Sequence, residues 1–180
     1  MKDIYVVFKG GDIKGETRDA KHATEYGIEV AAFEHVIQQP KSSTSSSAGG
    51  HTAERTEHGE MIFTKDIDSA STKLWQASSA GTVYQDVEIH FYRAFGGQNA
   101  TTASGTKRVK YLWIQLKNVV VSSVSTNIVS GTELPTETFG LKYSAVQWTY
   151  NEAPLDGGTP KNVNVQGMWN LKTNETTFKA

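Results

Sequence analysis

The residues best suited to metal chemistry in this sequence are two histidines and two glutamates in one short stretch. His51, Glu54, Glu57 and His58 offer imidazole nitrogens and carboxylate oxygens, which are ligands that zinc and related ions take in proteins. Their spacing matches no established ligand pattern. The chain also has no cysteine, so disulfides, thiolate nucleophiles and cysteine-ligated metal centres are excluded. We therefore predict no metal site here and no cofactor.

Serine is abundant, but the arrangement that would make it a nucleophile is absent from the sequence. There is no G-x-S-x-G motif, the sharp turn that exposes the nucleophile of many hydrolases. Ser122, Ser123 and Ser125 follow a run of valines, which indicates a strand edge. The acidic residues are scattered, and glycosidase chemistry needs two carboxylates held across a cleft. We predict that the protein is not an enzyme.

The charge balance gives no reason to expect nucleic acid or a membrane as a partner. Eighteen Lys and Arg residues against nineteen Asp and Glu residues give a net charge of -1, which produces no attractive field for polyanions. The basic run 107–110 is best interpreted as the solvated start of a strand. The apolar stretch Ile4–Phe8 is too short for a signal-peptide core or a membrane span. We expect synthesis in the cytoplasm and export, if any, by a route that accepts folded protein.

The elements that position these residues are predicted to be mainly β-strands. Apolar side chains recur at every second position along Ile4–Phe8, Val87–Phe91 and Leu112–Leu116, which is the pattern of a half-buried strand. Further strands are predicted at 28–38, 55–64, 119–124, 139–150 and 163–171, where β-branched and aromatic residues are bounded by turn formers. Within 139–150 the large apolar positions change parity. This change predicts a bulge or a change of sheet near Ser144 and Ala145.

One segment, residues 69–80, is predicted to be the only substantial helix. Asp68 or Ser69 can cap its start, and Gly81 can end it. Leu74, Ala77 and Ser78 fall on one stripe of that helix.

The remaining segments are predicted to be loops. Residues 40–52 and 96–106 are rich in Ser, Thr, Ala and Gly, a composition that buries too little apolar surface to order a loop alone. Residues 155–180 are predicted to form a loosely packed tail. A length of 180 residues suits one domain. The expected fold is therefore a single mainly β domain, residues 1–180, built as a compact two-sheet β-barrel or sandwich with one short α-helix.

Four segments resemble the haemolysin-coregulated protein (Hcp) family of bacterial type VI secretion. They occur in the family's order: Gly10–Thr17 after the first strand, Phe63–Asp68 before the predicted helix, Val121–Ser125, and Glu137–Tyr150. The first is similar to the family's D-x-K-G-E-S/T turn and the second to its F-T-K-x-I-D segment. The sequence departs from the family in a longer 96–106 hairpin and in the tail, which shares only a rough Gly-x-Trp pattern.

The resemblance implies an Hcp-like subunit that assembles as a hexameric ring. Such rings stack into a tube inside a contractile sheath, carry a VgrG-type spike at the tip and hold small effector proteins in the lumen. The chain would be a structural tube subunit, itself secreted without a signal peptide to the extracellular space or a target cell. Each subunit would need two different complementary surfaces, because ring contacts run head to tail.

The resemblance also nominates lumen residues on the second predicted strand. Side chains alternate along a strand, which places Ala31, Phe33, His35 and Ile37 on one face and Val30, Ala32, Glu34 and Val36 on the other. We expect the aromatic face to be core. Glu34 matches the family's lumen-facing position, with Ala32 beside it, and six copies of Glu34 would favour basic cargo. The alternative is an ordinary exposed glutamate.

The Ser-rich loop resembles the family's extended loop, which reaches the neighbouring ring. The residues nominated for ring stacking are Ser42, Ser43, Thr44, His51, Glu54, Arg55 and Glu57. We expect this loop to be loose in the free ring and ordered on stacking.

Two other functions remain open at this point. One is a monomeric β-barrel that binds a small ligand in its mouth. The other is an enzyme fused to the same scaffold, which is disfavoured because no segment of domain size follows residue 151. Molar mass in solution separates the ring from the monomeric module.

Overall fold

The fold is built almost entirely from β-strands. The computed structural model describes residues 3–19, 22–40, 55–95, 107–129, 134–152 and 161–179. The strands are β1 (Ile4–Phe8), β2 (Ile28–Val30), β3 (Ala32–Glu34), β4 (Ile37–Gln38), β5 (Glu57–His58), β6 (Met61–Asp66), β7 (Val83–Phe95), β8 (Lys107–Asn127), β9 (Thr136–Lys142), β10 (Ala145–Glu152) and β11 (Lys161–Asn170). One helix, α1 (Ser71–Ala80), separates β6 from β7.

Nine of the described strands form one antiparallel sheet. Its order is β2-β1-β7-β8-β9-β6-β3, with β10 paired to β8 and β11 paired to β10. The other two, β4 and β5, form a separate two-stranded ribbon. The predicted fold class, mainly β with two sheets and one short helix, is confirmed.

The segment predicted as one strand over 28–38 is broken into three short strands. Its first part, β2, pairs with β1, whereas β3 pairs with β6. Ala31 lies at the bend between them, and its backbone N–H donates to Thr64 O at 2.7 Å. Because β2 and β3 stand at opposite ends of the strand order, this bend joins the two ends and the sheet curls back on itself. One continuous strand cannot pair with both β1 and β6, which lie toward opposite ends of the strand order. The alternation of side chains between two faces therefore extends over only three residues in each of β2 and β3.

The long strand β8 organises the rest of the sheet. It pairs with β7 on one edge and with β9 and then β10 on the other. Between β9 and β10 the chain is interrupted at Tyr143 and Ser144, and Ser144 N–H donates to Lys117 O at 2.9 Å. The outer partner changes there from β6 to β11. The predicted irregularity near Ser144 and Ala145 is therefore present.

The core lies inside the curled sheet and beneath α1. Its members are apolar side chains that alternate along the strands, among them Val6, Phe63, Ile89, Ile114, Leu116, Phe139 and Leu141. Strand β1 departs from the predicted half-buried pattern, because Tyr5 and Val7 on its other face are also buried. A turn covers that face: the ring of His22 stacks on Tyr5 with 4.3 Å between ring centroids.

Helix α1 begins later than predicted and without a side-chain cap. Its N-cap is Ala70, and Asp68 Oδ1 accepts the Ala70 N–H at 2.9 Å. The end agrees with the prediction, since Gly81 adopts a left-handed conformation with φ of 63°. Leu74 and Ala77 are buried against the sheet. Among the described residues no helix is long and apolar enough to cross a membrane.

Candidate functional site

The nominated lumen residues lie on β3 with their side chains exposed. Ala32 and Glu34 face outward, whereas Phe33 between them turns inward. The Phe33 ring contacts Phe63 and Phe91 at 5.3 and 5.2 Å between centroids. The predicted separation of faces is thus correct for β3. It does not extend to Ala31 and Ile37, which are exposed because they lie in the bend and in the ribbon.

Ala32 and Glu34 belong to a wider surface made by four strands, β3, β6, β9 and β8. Cross-strand register places Glu34 beside Ile62, then Gly140, then Ser123. The next row contains Ala32, Thr64, Thr138 and Ser125. We call these eight positions the small-residue face. Apart from Ile62 and Glu34, every side chain at these positions is short.

The side chain of Glu60 lies over this face at Gly140. Ser123 Oγ donates to Glu60 Oε2 at 3.0 Å, and Lys142 Nζ lies 3.4 Å from Glu60 Oε1. A Cβ at Gly140 would lie 2.4 Å from Glu60 Oε2 and 2.5 Å from Ser123 Oγ. Glycine is therefore needed here for the carboxylate to lie across the strand.

Only two of the seven nominated ring-stacking residues can be located. Ser42, Ser43, Thr44, His51 and Glu54 lie outside the described residues. Arg55 and Glu57 are exposed.

The ribbon β4–β5 carries the nominated loop on its two strands. It pairs Ile37 with His58 and Gln38 with Glu57, and Thr56 Oγ1 donates to Gln39 Oε1 at 2.6 Å. Both ends of the nominated loop thus leave from neighbouring positions.

A histidine–tyrosine cluster anchors the ribbon to the sheet, and no pattern in the sequence indicates it. Tyr143 OH lies 2.7 Å from His58 Nδ1 and 3.0 Å from His35 Nε2. Burial lowers the pKa of both histidines, and the neighbouring His58 adds to the shift at His35. Burial also raises the pKa of the Tyr143 hydroxyl. Successive side chains alternate along a strand, so Glu57 and His58 point to opposite faces and cannot share one metal ion.

A buried ionic network explains two of the motifs that the sequence shares with the Hcp family. Lys65 Nζ contacts Glu137 Oε1 and Asp68 Oδ1, each at 2.8 Å. Ser71 Oγ and Trp75 Nε1 donate to the two oxygens of Glu137 at 2.7 and 3.0 Å. The network joins β6, α1 and β9, which makes these motif residues structural.

Comparison with known proteins identifies the family. A family model described as "Type VI secretion system effector, Hcp" matches residues 5–150. Protein hcp1 of Pseudomonas aeruginosa is 35% identical over 175 residues, covering 96% of both chains.

Solved structures agree with this assignment. A type six secretion system protein superposes with a TM-score of 0.77 at 23% identity, covering 97% of this chain and 99% of the other. Hcp1 from the E. coli EAEC 042 pathovar gives a TM-score of 0.70 at 26% identity, with coverage of 95% and 99%. The chain belongs to the Hcp family of the type VI secretion system, a family of structural, secreted, self-assembling tube proteins, and it is not an enzyme.

Proposed function

We propose that this chain is the subunit of the type VI secretion inner tube. Six copies form a ring, rings stack into a tube that sheath contraction expels, and the lumen holds small effector proteins. The sheath proteins and a VgrG-type spike are its further partners. The observation that carries the proposal is the small-residue face, a four-stranded surface of the main sheet on which five of the eight positions are exposed and two are half-buried.

The small-residue face is suited to line a lumen. Short side chains leave room for a passing or stored protein, and serine and threonine hydroxyls can hydrogen-bond to a cargo of varied sequence. Glu34 supplies the one full negative charge among the eight positions. Ile62, 40% exposed, adds an apolar contact beside it.

Ring contacts are supported by apolar side chains exposed elsewhere on the subunit. Ile128, just after β8, and Leu134, just before β9, are 68% and 63% exposed. Tyr150 and Val165 are paired across β10 and β11 and are 43% and 59% exposed. Isolated apolar residues are common on surfaces, but a cross-strand pair favours an interaction site. Two separate apolar surfaces meet the need of a head-to-tail ring.

Ring stacking is assigned to the loop carried by the ribbon β4–β5. Arg55 and Glu57 have opposite charges at its base and are exposed, so they can pair with complementary charges on the next ring. Such rim contacts fix register more than they add affinity.

The decisive experiment is the molar mass of the purified protein measured by light scattering. A species near six times the subunit mass of 19.7 kDa is expected at micromolar concentration. A monomer that persists at high concentration would refute the ring and favour the monomeric ligand-binding module.

A charge reversal tests stacking separately from ring closure. Arg55→Glu is expected to keep the mass of the ring but to reduce tubes seen by electron microscopy in concentrated solution. Lys73→Glu, a reversal at an exposed site on α1, serves as the control. Equal protease cleavage within residues 40–50 in rings and in tubes would contradict a stacking role for the loop.

A further inference from the structure

We propose that His22, Glu25 and His90 form a binding site for a divalent transition-metal ion of the zinc type. The site is distinct from the stretch 51–58 that the sequence suggested. It does not depend on ring formation or on the proposed tube function.

The three residues are brought together by a turn that lies over the outer face of β1. His90 belongs to β7, which pairs with β1, and Tyr5 is its cross-strand partner. His22 and Glu25 lie on the turn, which is closed by hydrogen bonds from His22 N–H to Asp19 O and from Gly27 N–H to His22 O, each 3.0 Å. The His22 and His90 rings are 5.2 Å apart between centroids. Their positions are thus fixed by backbone structure.

Each histidine has one engaged nitrogen and one buried nitrogen without a hydrogen bond. Nε2 of His22 lies 2.9 Å from Tyr92 OH, and Nε2 of His90 lies 3.1 Å from Glu88 Oε2. Both Nδ1 atoms are buried and have no hydrogen-bond partner. Metal-binding histidines show this division, because an outer partner orients the ring while the second nitrogen binds the ion. A buried polar atom without a partner is costly, and an ion would remove that cost.

The distances are compatible with a metal site after a small adjustment. One ligand atom from each of the three residues lies within 4.8 Å of the others, and His22 Nδ1 is already 3.4 Å from Glu25 Oε2. In a tetrahedral site with bonds of about 2 Å, ligand atoms lie about 3.3 Å apart. No other group of three such residues meets this test within the described ranges.

The donor set determines the class of ion. Two imidazoles and one carboxylate suit zinc, cobalt or nickel better than calcium or magnesium, which take mainly oxygen ligands. The Glu25 side chain is 37% exposed, which leaves a route by which an ion can enter.

Lys9 opposes an ion at this site. Its Nζ lies 2.9 Å from Glu25 Oε1 and 3.1 Å from Glu88 Oε2. This ammonium neutralises the carboxylates and repels a dication. The geometry therefore predicts that Lys9→Met binds the ion several-fold more tightly.

The test is titration of the full chain, without a histidine tag, with Zn²⁺ in a calorimeter at pH 7.5. We expect one ion per chain, at least a tenfold loss of affinity in His22→Gln and His90→Gln, and a smaller loss in Glu25→Gln. Two controls, His35→Gln in the ribbon cluster and His51→Gln in the loop, are expected to bind like the parent. Cobalt substituted for zinc is expected to give the visible absorption of a tetrahedral site.

Several results would overturn the site. These are no binding at millimolar Zn²⁺, unchanged affinity in both His22→Gln and His90→Gln, or a loss of binding in His51→Gln instead. Glu25→Gln changes a partly exposed side chain, so a loss of zinc affinity in this variant is not explained by misfolding. Circular dichroism of each variant checks the fold. Weaker binding in Lys9→Met would overturn Glu25 as a ligand.

Discussion

The most demanding residue in this fold is Lys65, an ammonium group with no exposed surface. It is matched by Glu137, which is also fully buried, and by Asp68. An ion pair removed from water recovers its desolvation cost only when its remaining hydrogen bonds are made. Ser71 and the Asp66 carbonyl complete the contacts of Lys65. The network therefore depends on all its members together.

Removing the lysine is expected to be far more costly than removing an exposed one. Lys65→Met leaves the Glu137 carboxylate buried without its cation, and loss of one partner of a buried pair costs about 3 kcal/mol or more of unfolding free energy. Lys142→Met is the matched control, because its side chain is 66% exposed and surface changes stay within about 0.5 kcal/mol. Urea unfolding at one protein concentration measures both. Similar losses would refute the argument.

The histidines make stability sensitive to mild acid. Burial lowers the pKa of His22, His35 and His58 below the ordinary value of 6.5. The unfolded chain therefore binds more protons than the folded chain just below pH 6.5, and stability falls as the pH falls through that region. Burial opposes ionisation of Glu88, but bonds from His90 and Lys9 outweigh it and lower its pKa to about 2. The contribution of the ionised Glu88 carboxylate to the free energy of unfolding is therefore lost only as the pH falls below about 4.5.

Unfolding midpoints in urea are therefore expected to drop from pH 7.5 to pH 5.5. In His35→Gln the drop is expected to shrink, because one of the groups that must take up a proton on unfolding is gone. Glu152→Gln, an exposed change, is the control and is expected to keep the parent's pH dependence. A midpoint that rises on acidification would contradict the sign of the linkage.

At the scale of the element, Gly81 shows how local sequence determines a boundary. It ends α1 with φ of 63°, and no atom lies within 4 Å of the position where a Cβ would stand. The cost of a side chain there is therefore conformational rather than steric.

Gly81→Ala is expected to lower the free energy of unfolding by about 1 kcal/mol, the usual cost of a side chain in the left-handed region. Gly167→Ala is the matched control: it lies within β11, and the nearest atom to its added Cβ is 3.6 Å away. There alanine is expected to be neutral or slightly stabilising, since glycine is a poor strand former. Equal destabilisation by both changes would refute the explanation.

Element types were predictable from the sequence, whereas their continuity was not. Periodicity identified β1, the helix and the irregularity between β9 and β10, because each depends on neighbouring residues. The division of 28–38 depends on β1 and β6, which are distant in sequence, so no local pattern indicates it. The burial of Tyr5 likewise depends on the turn that carries His22. Tertiary partners decide such features.

At the scale of the whole molecule, the candidate site likewise depends on residues that are distant in sequence, which local patterns do not indicate. Exposure of Ala32 and Glu34 was predictable from alternation along one strand. The surface around them was not, because Ile62, Gly140 and Ser123 come from three other strands. The cluster of Tyr143 with His35 and His58 was missed for the same reason.

A ring of six subunits would repeat the charge of Glu34 six times, and this repetition can be tested. Six carboxylates at one level of a lumen would attract a basic cargo, and the attraction would weaken with salt. In the proposed hexamer, Glu34→Gln is expected to weaken binding of a short oligolysine peptide several-fold and to flatten its salt dependence. Glu152→Gln, exposed at the end of β10, removes the same charge away from the small-residue face and is expected to bind like the parent. Fluorescence anisotropy of a labelled peptide measures both. Equal losses would mean that the peptide responds to overall charge, and Glu34 would then be an ordinary surface residue.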